Sequence, residues 1–199
     1  MKILAAGDIH GDASLTKKLA DKAKKEKVDL VILAGDLTSP IETKNLLKPF
    51  QENKQKVLLI PGNHDSFATI DFLAELYGMK NIHGYSIILK DKINDVGIFG
   101  AGGALEFDTS EKELFDVLKK GHDALKDVSK KIMVTHMHPQ GTKSEFSGIK
   151  GSESIRKAIE KFRPDFLLHS HIHEGAGLED RIGKTKVINV GREGRVIEV

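Results

Sequence analysis

Three consecutive polar residues, Asn63, His64 and Asp65, follow an apolar segment that ends at Pro61-Gly62. The apolar and β-branched run from Val57 is typical of a buried strand that stops at a turn. The amide oxygen of Asn63 is a ligand that hard or borderline cations accept, and the imidazole of His64 can ligate a metal or transfer a proton near neutral pH. A Gly-Asn turn followed by histidine is ordinary surface chemistry in isolation, so its interpretation depends on whether the pattern recurs.

The same arrangement recurs after four further predicted strands. These strands are Lys2–Ala6, Asp29–Ala34, Lys131–Thr135 and Asp165–Leu168. The polar residues that follow them, in chain order, are Asp8, His10, Asp36, His136, His171 and His173. An Asp-x-His pair can place two donors on one cation, although Asp8 taken alone is also an ordinary turn former. Because oxygen or imidazole donors follow five strands of one chain, the pattern predicts a metal site.

Parallel strands are the elements that would bring these side chains together. Helical patterns follow the first three strands, over Ser14–Lys27, from the capping box Ser39–Glu42 to about Glu52, and over Phe67–Tyr77. Three strand-turn-helix units in series imply parallel strands with right-handed crossovers. Their carboxyl ends share one edge of the sheet, where α/β proteins place their functional sites.

The second half of the chain predicts a sheet with antiparallel members. Tyr85–Lys90 and Val96–Gly100 are predicted to form a hairpin. Ser110 begins a capping box that predicts a helix to about Leu118 or beyond, and a further helix is predicted over Glu153–Phe162. Residues 175–199 predict short antiparallel strands that close a sheet.

Length and composition narrow the class of protein. A chain of 199 residues predicts one domain spanning residues 1–199. The net charge of +2 and the interspersed lysines and carboxylates argue against stable nucleic-acid binding. Cysteine is absent, so any metal must be held by oxygen and imidazole ligands. The apolar run at the N-terminus is too short for a signal peptide, and no stretch approaches the ~18 apolar residues of a membrane span. A cytoplasmic protein without a membrane partner is therefore expected.

Taken in order, the motifs resemble those of the calcineurin-like metallophosphoesterase superfamily, in its small single-domain phosphoesterase branch. The superfamily pattern is Asp-x-His, Gly-Asp, Gly-Asn-His-Asp/Glu, a lone His and Gly-His-x-His. The matching residues here are Asp8-Ile9-His10, Gly35-Asp36, Gly62-Asn63-His64-Asp65, His136 and His171-Ile172-His173. Ser170 stands where the superfamily usually has glycine. Leu37-Thr38-Ser39 replaces the Asp-Arg-Gly that continues this block in protein Ser/Thr phosphatases, which argues against that branch.

The resemblance implies a fold and a metal centre. The implied fold is an α/β four-layer α/β/β/α sandwich with two mixed β-sheets and a metal site at the carboxyl ends of the strands. The implied centre holds two divalent transition-metal ions. Its ligands would be Asp8, His10 and His173 for one ion and Asn63, His136 and His171 for the other, with Asp36 bridging. This nitrogen and oxygen set suits manganese, iron, zinc or nickel, and manganese is expected first.

The resemblance also implies a hydrolase and its catalytic residues. Two ions ~3.5 to 4 Å apart would lower the pKa of a bridging water, so that hydroxide attacks phosphorus in line. His64 would face the substrate and donate to a phosphoryl oxygen or protonate the leaving group, so His64 and Asp36 are the predicted catalytic residues. Asp65 would either orient His64 or cap the helix that begins at Phe67.

The remaining histidines and one loop have no role in that scheme. His138 and His169 adjoin predicted ligands but match no ligand of the superfamily, and His83 and His122 are expected at the surface or in turns. The segment Gln140–Gly151 is rich in Gly, Ser and Thr, and we expect it to form a loop beside the site that contacts substrate.

The leading hypothesis is a metal-dependent phosphoesterase acting on a small phosphodiester or phosphomonoester. One alternative is a non-catalytic scaffold of the same fold that binds a protein partner, which the complete set of ligand positions disfavours. Another is a nuclease of the DNA-repair branch, which the nearly neutral charge and the length of the chain disfavour.

Overall fold

The structure is a computed structural model that describes residues 1–41, 44–90, 95–103, 109–125 and 127–199. The strands are β1 Lys2–Ala6, β2 Leu30–Ala34, β3 Val57–Ile60, β4 Lys80–Asn81, β5 Ser86–Leu89, β6 Val96–Ala101, β7 Lys130–Thr135, β8 Phe166–His169, β9 Glu179–Ile182, β10 Thr185–Asn189 and β11 Arg195–Glu198. The α-helices are α1 Ala13–Lys25, α2 Lys48–Glu52, α3 Phe67–Tyr77, α4 Glu111–Asp123 and α5 Glu153–Phe162. Short 3-10 turns cover Lys143–Ser147 and His173–Gly175.

Two mixed β-sheets form the centre of the fold. The first has the strand order β11-β1-β2-β3-β4, and the second has the order β5-β6-β7-β8-β10-β9. In the first sheet β1 to β4 are parallel and β11 is antiparallel to β1. In the second sheet β6, β7, β8 and β10 are parallel, and the outer strands β5 and β9 are antiparallel to their neighbours.

Three hydrophobic cores separate four layers. One core packs α1, α2 and α3 against the first sheet, with Leu19, Leu33 and Phe50 among its members. The middle core lies between the sheets, and the third packs α4 and α5 against the second sheet. The alternation of buried residues along β1 shows why both faces are covered, because Leu4 belongs to the first core and Ile3 to the middle core. The four-layer fold with two mixed sheets is confirmed.

Hydrogen bonds beyond the strand ends align the loops that carry the polar motifs. The Asp8 amide donates to the Gly35 carbonyl at 3.0 Å, and the His10 amide donates to the Asp36 carbonyl at 2.8 Å. The loops after β1 and β2 therefore continue the parallel pairing past the sheet, which fixes their side chains relative to one another. Of the helices that the structure describes, none has the length and apolar composition needed to cross a membrane.

Most predicted elements form, with bounds that shift by a few residues. Asp12 caps α1 through its carboxylate, and Ser110 and Glu113 form the predicted capping box of α4. The predicted hairpin is β5 and β6. At the C-terminal end, β9 and β10 form an antiparallel hairpin, but β10 also pairs in parallel with β8, and β11 joins the other sheet.

The predicted helix from Ser39 to about Glu52 is wrong over most of its length. The hydroxyl of Ser39 donates to the Ile41 carbonyl, and α2 begins only at Lys48. Asn45 has a left-handed backbone with φ of 59°, which interrupts a right-handed helix, and the proline in the first turn of α2 favours a new start there. Glu42 of the expected capping box lies outside the described residues.

Candidate metal centre

The carboxylate of Asp36 lies between two groups of candidate ligands. Its Oδ2 atom is 3.4 Å from His136 Nε2 and 3.7 Å from His10 Nε2. Its Oδ1 atom accepts a hydrogen bond from the His64 backbone amide at 2.8 Å. The side chain is buried, so its charge interacts with neighbouring imidazoles at low dielectric. This position is the one expected for a residue shared by two ions.

The first group consists of Asp8, His10 and His173, whose ligand atoms all lie within 4.8 Å of one another. The two Nε2 atoms of His10 and His173 are 3.3 Å apart, and Asp8 Oδ1 is 3.9 Å from His173 Nε2. Asp8 Oδ2 is buried and has no hydrogen-bond partner among the described residues. A buried carboxylate oxygen without a donor is costly unless a cation occupies the adjoining space.

The second group consists of Asn63, His136 and His171. Asn63 Oδ1 lies 2.8 Å from His136 Nε2 and 3.0 Å from His171 Nδ1, and the two ring nitrogens are 3.2 Å apart. The other nitrogen of His136, Nδ1, contacts the Ala34 carbonyl at 2.9 Å and therefore donates to it. In a neutral His136 with this orientation of Asn63, the Nε2 lone pair would then face the amide oxygen, and a proton on Nε2 or a cation between the two atoms would remove that repulsion. Asp8, Asp36 and His136 form a further group within 4.8 Å.

Two of the candidate histidine ligands have lowered pKa values, whereas at His136 burial is outweighed by the hydrogen bond and charge of Asp36, which raise its pKa. Burial and the nearby His136 lower the pKa of His171 to about 4, and burial lowers the pKa of His10. Burial alone would raise the pKa of Asp36, but the hydrogen bond and charge of His136 outweigh it and hold that pKa at about 2. Burial raises the pKa of Asp8 despite the opposing imidazoles. A divalent ion would supply the positive charge that this carboxylate lacks.

The residues fit a pair of divalent ions. The two donor groups lie on either side of Asp36, the donors are nitrogen and oxygen without sulfur, and one buried carboxylate oxygen has no partner among the described residues. Such a set suits manganese, iron, zinc or nickel more than calcium or magnesium, because imidazoles are half or more of its donors.

Four of the seven candidate ligands have a left-handed backbone conformation. Asp8, His10, Asp36 and His171 all have positive φ angles, between 48° and 72°. Left-handed backbone is uncommon outside glycine and is often found at functional sites, where the surrounding structure holds it. Here the His171 amide donates to Asp8 Oδ1 at 3.1 Å, which ties the turn after β8 to the turn after β1.

Glycine is required at two positions next to these ligands. A Cβ atom at Gly35 would lie 2.6 Å from His136 Nδ1, and the φ of 91° at Gly35 also favours glycine. A Cβ at Gly62 would overlap the carboxylate of Asp36. The glycines of the Gly-Asp and Gly-Asn motifs therefore allow the close approach of the strand ends.

Residues 1–175 match the family described as calcineurin-like phosphoesterase. The chain belongs to the calcineurin-like phosphoesterase family. Among curated proteins, no sequence match was found. The family uses divalent metals, and both donor groups lie within the matched residues.

Three solved structures share the fold of this calcineurin-like phosphoesterase. TT1561 of Thermus thermophilus is 22% identical with a TM-score of 0.73, over 96% of this chain and 88% of that chain. A phosphatase from Mycoplasma pneumoniae is 19% identical with a TM-score of 0.61, over 96% and 72% of the two chains. An archaeal phosphodiesterase is 16% identical with a TM-score of 0.53, over 96% and 84%. At these identities the likeness shows the fold.

In this calcineurin-like phosphoesterase, His64 lies at the open side of the candidate centre. Its exposed ring is 5.1 Å from the His10 ring between centroids. His64, Asp36 and Asn63 line a cavity of about 250 Å³ together with His171 and His173. Of the sequence-predicted site residues, His64 and His173 are the two exposed ones, and both can therefore meet a ligand that enters this cavity from solvent.

Asp65 neither orients His64 nor caps α3, so both expectations for it are wrong. Its buried carboxylate accepts hydrogen bonds from the amides of Leu37, Thr38 and Gly62. The side chain that caps α3 is Ser66, which accepts from the Thr69 amide. Asp65 therefore fixes the loop after β2 against the loop after β3, and so holds Asp36 beside Asn63.

His138 and His169 are buried next to the candidate ligands but outside both donor groups. His138 Nε2 contacts the Ile149 carbonyl at 3.2 Å, and His169 Nδ1 contacts the Ser170 carbonyl at 3.1 Å. Ile149 and Ser147 of the loop 140–151 line the cavity with His64, so the loop lies beside the site as expected. The sequence indicated that the loop lies beside the site, but it did not single out Ser147 and Ile149 as the residues that line the cavity. Neither side chain has chemistry that would distinguish it from the rest of the loop.

The other two histidines, expected at the surface or in turns, are half-buried. His83 packs against Phe67 at 4.6 Å between ring centroids, and its Nδ1 accepts from the Gly102 amide. His122 stacks on Phe162 at 4.4 Å. Both serve packing within the fold.

Ser170 fills the position where the superfamily usually has glycine. Its hydroxyl donates to the Ala34 carbonyl at 2.7 Å and lies 3.1 Å from His136 Nδ1. A Cβ at Gly7 would overlap the Ser170 side chain, so Gly7 provides the space for it. The serine adds a contact to the carbonyl that orients His136.

Proposed function

We propose that this protein is a phosphoesterase that hydrolyses a phosphodiester or phosphomonoester with two divalent transition-metal ions. The observation that carries the proposal is the placement of the buried Asp36 carboxylate between two donor groups of nitrogen and oxygen atoms. Membership of the calcineurin-like phosphoesterase family supports the reaction class.

The proposed ligands divide between the two groups. Asp8, His10 and His173 would hold one ion, Asn63, His136 and His171 the other, and Asp36 would contact both. When bound, the ions would lower the pKa of a water molecule and neutralise charge on the phosphoryl oxygens. Manganese is the first candidate for both positions, and iron, zinc and nickel suit the same donors.

The chain's own residues orient the site and deliver a proton. His136 is fixed by its Nδ1 contact to the Ala34 carbonyl, so its Nε2 atom faces the centre. The hydrogen bond from the His64 amide orients Asp36. The His64 imidazole lies at the exposed side of the cavity, where it can donate to a phosphoryl oxygen or to the departing alcohol.

Hydrolysis of bis(p-nitrophenyl) phosphate and p-nitrophenyl phosphate by purified protein tests the proposal. The protein is stripped with a chelator and assayed with manganese, iron, zinc or nickel added separately. We expect turnover only after a metal is restored. Metal-loaded protein that hydrolyses neither ester would contradict the proposal and favour the scaffold alternative.

A further inference from the structure

A second cavity, of about 560 Å³, adjoins the candidate centre at His64. His64 lines both this cavity and the smaller one that contains Asp36 and Asn63. The volume of the larger cavity lies within the range of about 300 to 1,000 Å³ that is usual for small-molecule sites. We call it the α3 groove, because Ser66, Thr69, Phe72, Leu73, Leu76 and Tyr77 on and before α3 form one of its walls.

Helix α3 carries more apolar surface than its packing requires. Ile70 and Ala74 are buried against the first sheet and hold the helix in place. Phe72 and Leu76 lie on another face of the helix and are 61% and 52% exposed. Both line the α3 groove. Phe72 and Leu76 thus expose apolar surface in one groove. Covering that surface with an apolar ligand removes it from water, which favours binding.

The opposite wall adds a further apolar side chain and a positive charge to the groove. Ile41, which is 81% exposed, lies on that wall. Among the described lining residues, Lys44 carries the only fixed charge and no carboxylate is present. The rings of Phe72 and Tyr77 offer faces and edges to an aromatic group.

We infer that the α3 groove binds an aromatic alcohol portion of the phosphoester, next to the phosphoryl position. This inference rests on the proposed function and names a substrate class for it. In hydrolysis the bond between phosphorus and the ester oxygen breaks, the oxygen of water bonds to phosphorus, and a proton passes to the alcohol. His64 supplies that proton at the junction of the two cavities, so the group attached to the ester oxygen extends from His64 into the α3 groove.

Calorimetric binding of two phosphonates that cannot be hydrolysed tests this inference. Benzylphosphonate carries a ring on a linker that replaces the ester oxygen, and methylphosphonate lacks the ring. With the metal-loaded protein, we expect benzylphosphonate to bind about tenfold more tightly, because the ring removes apolar area from water.

Variants on α3 separate the groove from general effects. In the doubly substituted protein Phe72→Ala and Leu76→Ala, we expect the preference for benzylphosphonate to fall to about twofold or less, with unchanged affinity for methylphosphonate. Ile88→Ala on β5 is the matched control, because Ile88 is 50% exposed and does not line this groove. The control should keep the tenfold preference. Since Phe72 and Leu76 are exposed, their truncation leaves the core intact.

Three results would overturn the inference while the proposed function stands. The first is hydrolysis of bis(p-nitrophenyl) phosphate together with equal affinity for both phosphonates. The second is a preference for benzylphosphonate that survives in the doubly substituted protein. The third is a wild-type dimer in light scattering that becomes a monomer in that variant, since a second copy would then cover the groove. If neither phosphonate binds and neither aryl ester is hydrolysed, the proposed function fails and the inference fails with it.

Discussion

At the residue scale, Asp36 and His64 lie next to each other but have different surroundings. Asp36 is buried, contacts histidines of both donor groups, and is 2% exposed. His64 is exposed, and its hydrogen bond to Asp36 is donated by the backbone amide. Replacing the His64 side chain with alanine would therefore leave this hydrogen bond in place. Under the proposed function, the imidazole would therefore be available to a substrate, whereas the carboxylate would hold the proposed centre.

This difference predicts that the two residues affect metal content and turnover separately. His64→Ala should lower kcat by about 100-fold or more, the range for loss of a general acid, with little loss of metal. Asp36→Asn should lower both, because it removes the charge that faces His10 and His136. Steady-state kinetics and elemental analysis on the same samples measure the two effects. Equal metal loss in the two variants would contradict this separation of roles.

At the element scale, one carboxylate joins the two helices that cover the second sheet. Glu111, in the first turn of α4, accepts hydrogen bonds from the Ser152 hydroxyl and from the amides of Glu153 and Ser154. These amides belong to the N-terminus of α5 and have no partner within their own helix. Glu111 thus acts as a cap supplied by a neighbouring helix, and it positions α5, which follows the loop beside the site.

This cap predicts a stability effect that depends on pH. Burial alone would raise the pKa of Glu111, but the hydrogen bonds from Ser152 and Ser154 outweigh it and lower that pKa below the ordinary glutamate value. The stabilisation is therefore fully present above the pKa of the unfolded state and is lost as the pH falls through the lowered pKa of the folded state.

Glu111→Gln should lower the free energy of unfolding by about 1 kcal/mol at pH 7, and the difference should shrink as the pH falls below the ordinary pKa of glutamate. Asp116→Asn is the control, since it removes a charge from the same helix without removing this cap. Urea denaturation at several pH values measures the effect. An equal loss for both variants, or a loss that grows toward low pH, would contradict the assignment of Glu111 as a cap.

Elements with a clear pattern and a cap could be predicted from the sequence. The bounds of α3 and α5 agree with the prediction, because each has an apolar periodicity and a serine cap. The absence of a helix over the described residues between Ser39 and Asn45 could not be predicted from the sequence. The capping pattern at Ser39 favours a helix, but the left-handed backbone at Asn45 interrupts it. The parallel pairing of β10 with β8 depends on contacts distant in sequence, which local patterns do not specify.

The residues of the candidate site could be predicted from the sequence about as well as the helices and strands. Donors at the ends of successive parallel strands must meet at one edge, so all eight predicted site residues lie around the same cavity or in the donor groups beside it. The role of Asp65 was not predictable, because its partners are backbone amides of a distant loop. The α3 groove was also missed, since the periodicity of α3 does not tell which apolar residues remain exposed.

At the scale of the whole molecule, the proposed centre joins the two sheets. Asp8, His10, Asp36 and Asn63 follow strands of the first sheet, whereas the remaining histidine ligands follow strands of the second. The middle core holds the sheets together below the site, and the hydrogen bond from the His171 amide to Asp8 links them at the edge. Each proposed ion would take ligands from both sheets, so the fold as a whole sets the spacing of the centre.

The number of transition-metal ions bound per chain tests this account most directly. We expect elemental analysis of chelator-stripped, manganese-reloaded and desalted protein to give about two ions per chain. His10→Ala and His136→Ala, each removing a ligand from a different group, should each give about one. A wild-type chain that holds one ion or none, or two single variants that both retain two, would contradict the central claim that the two donor groups around Asp36 form a dinuclear centre.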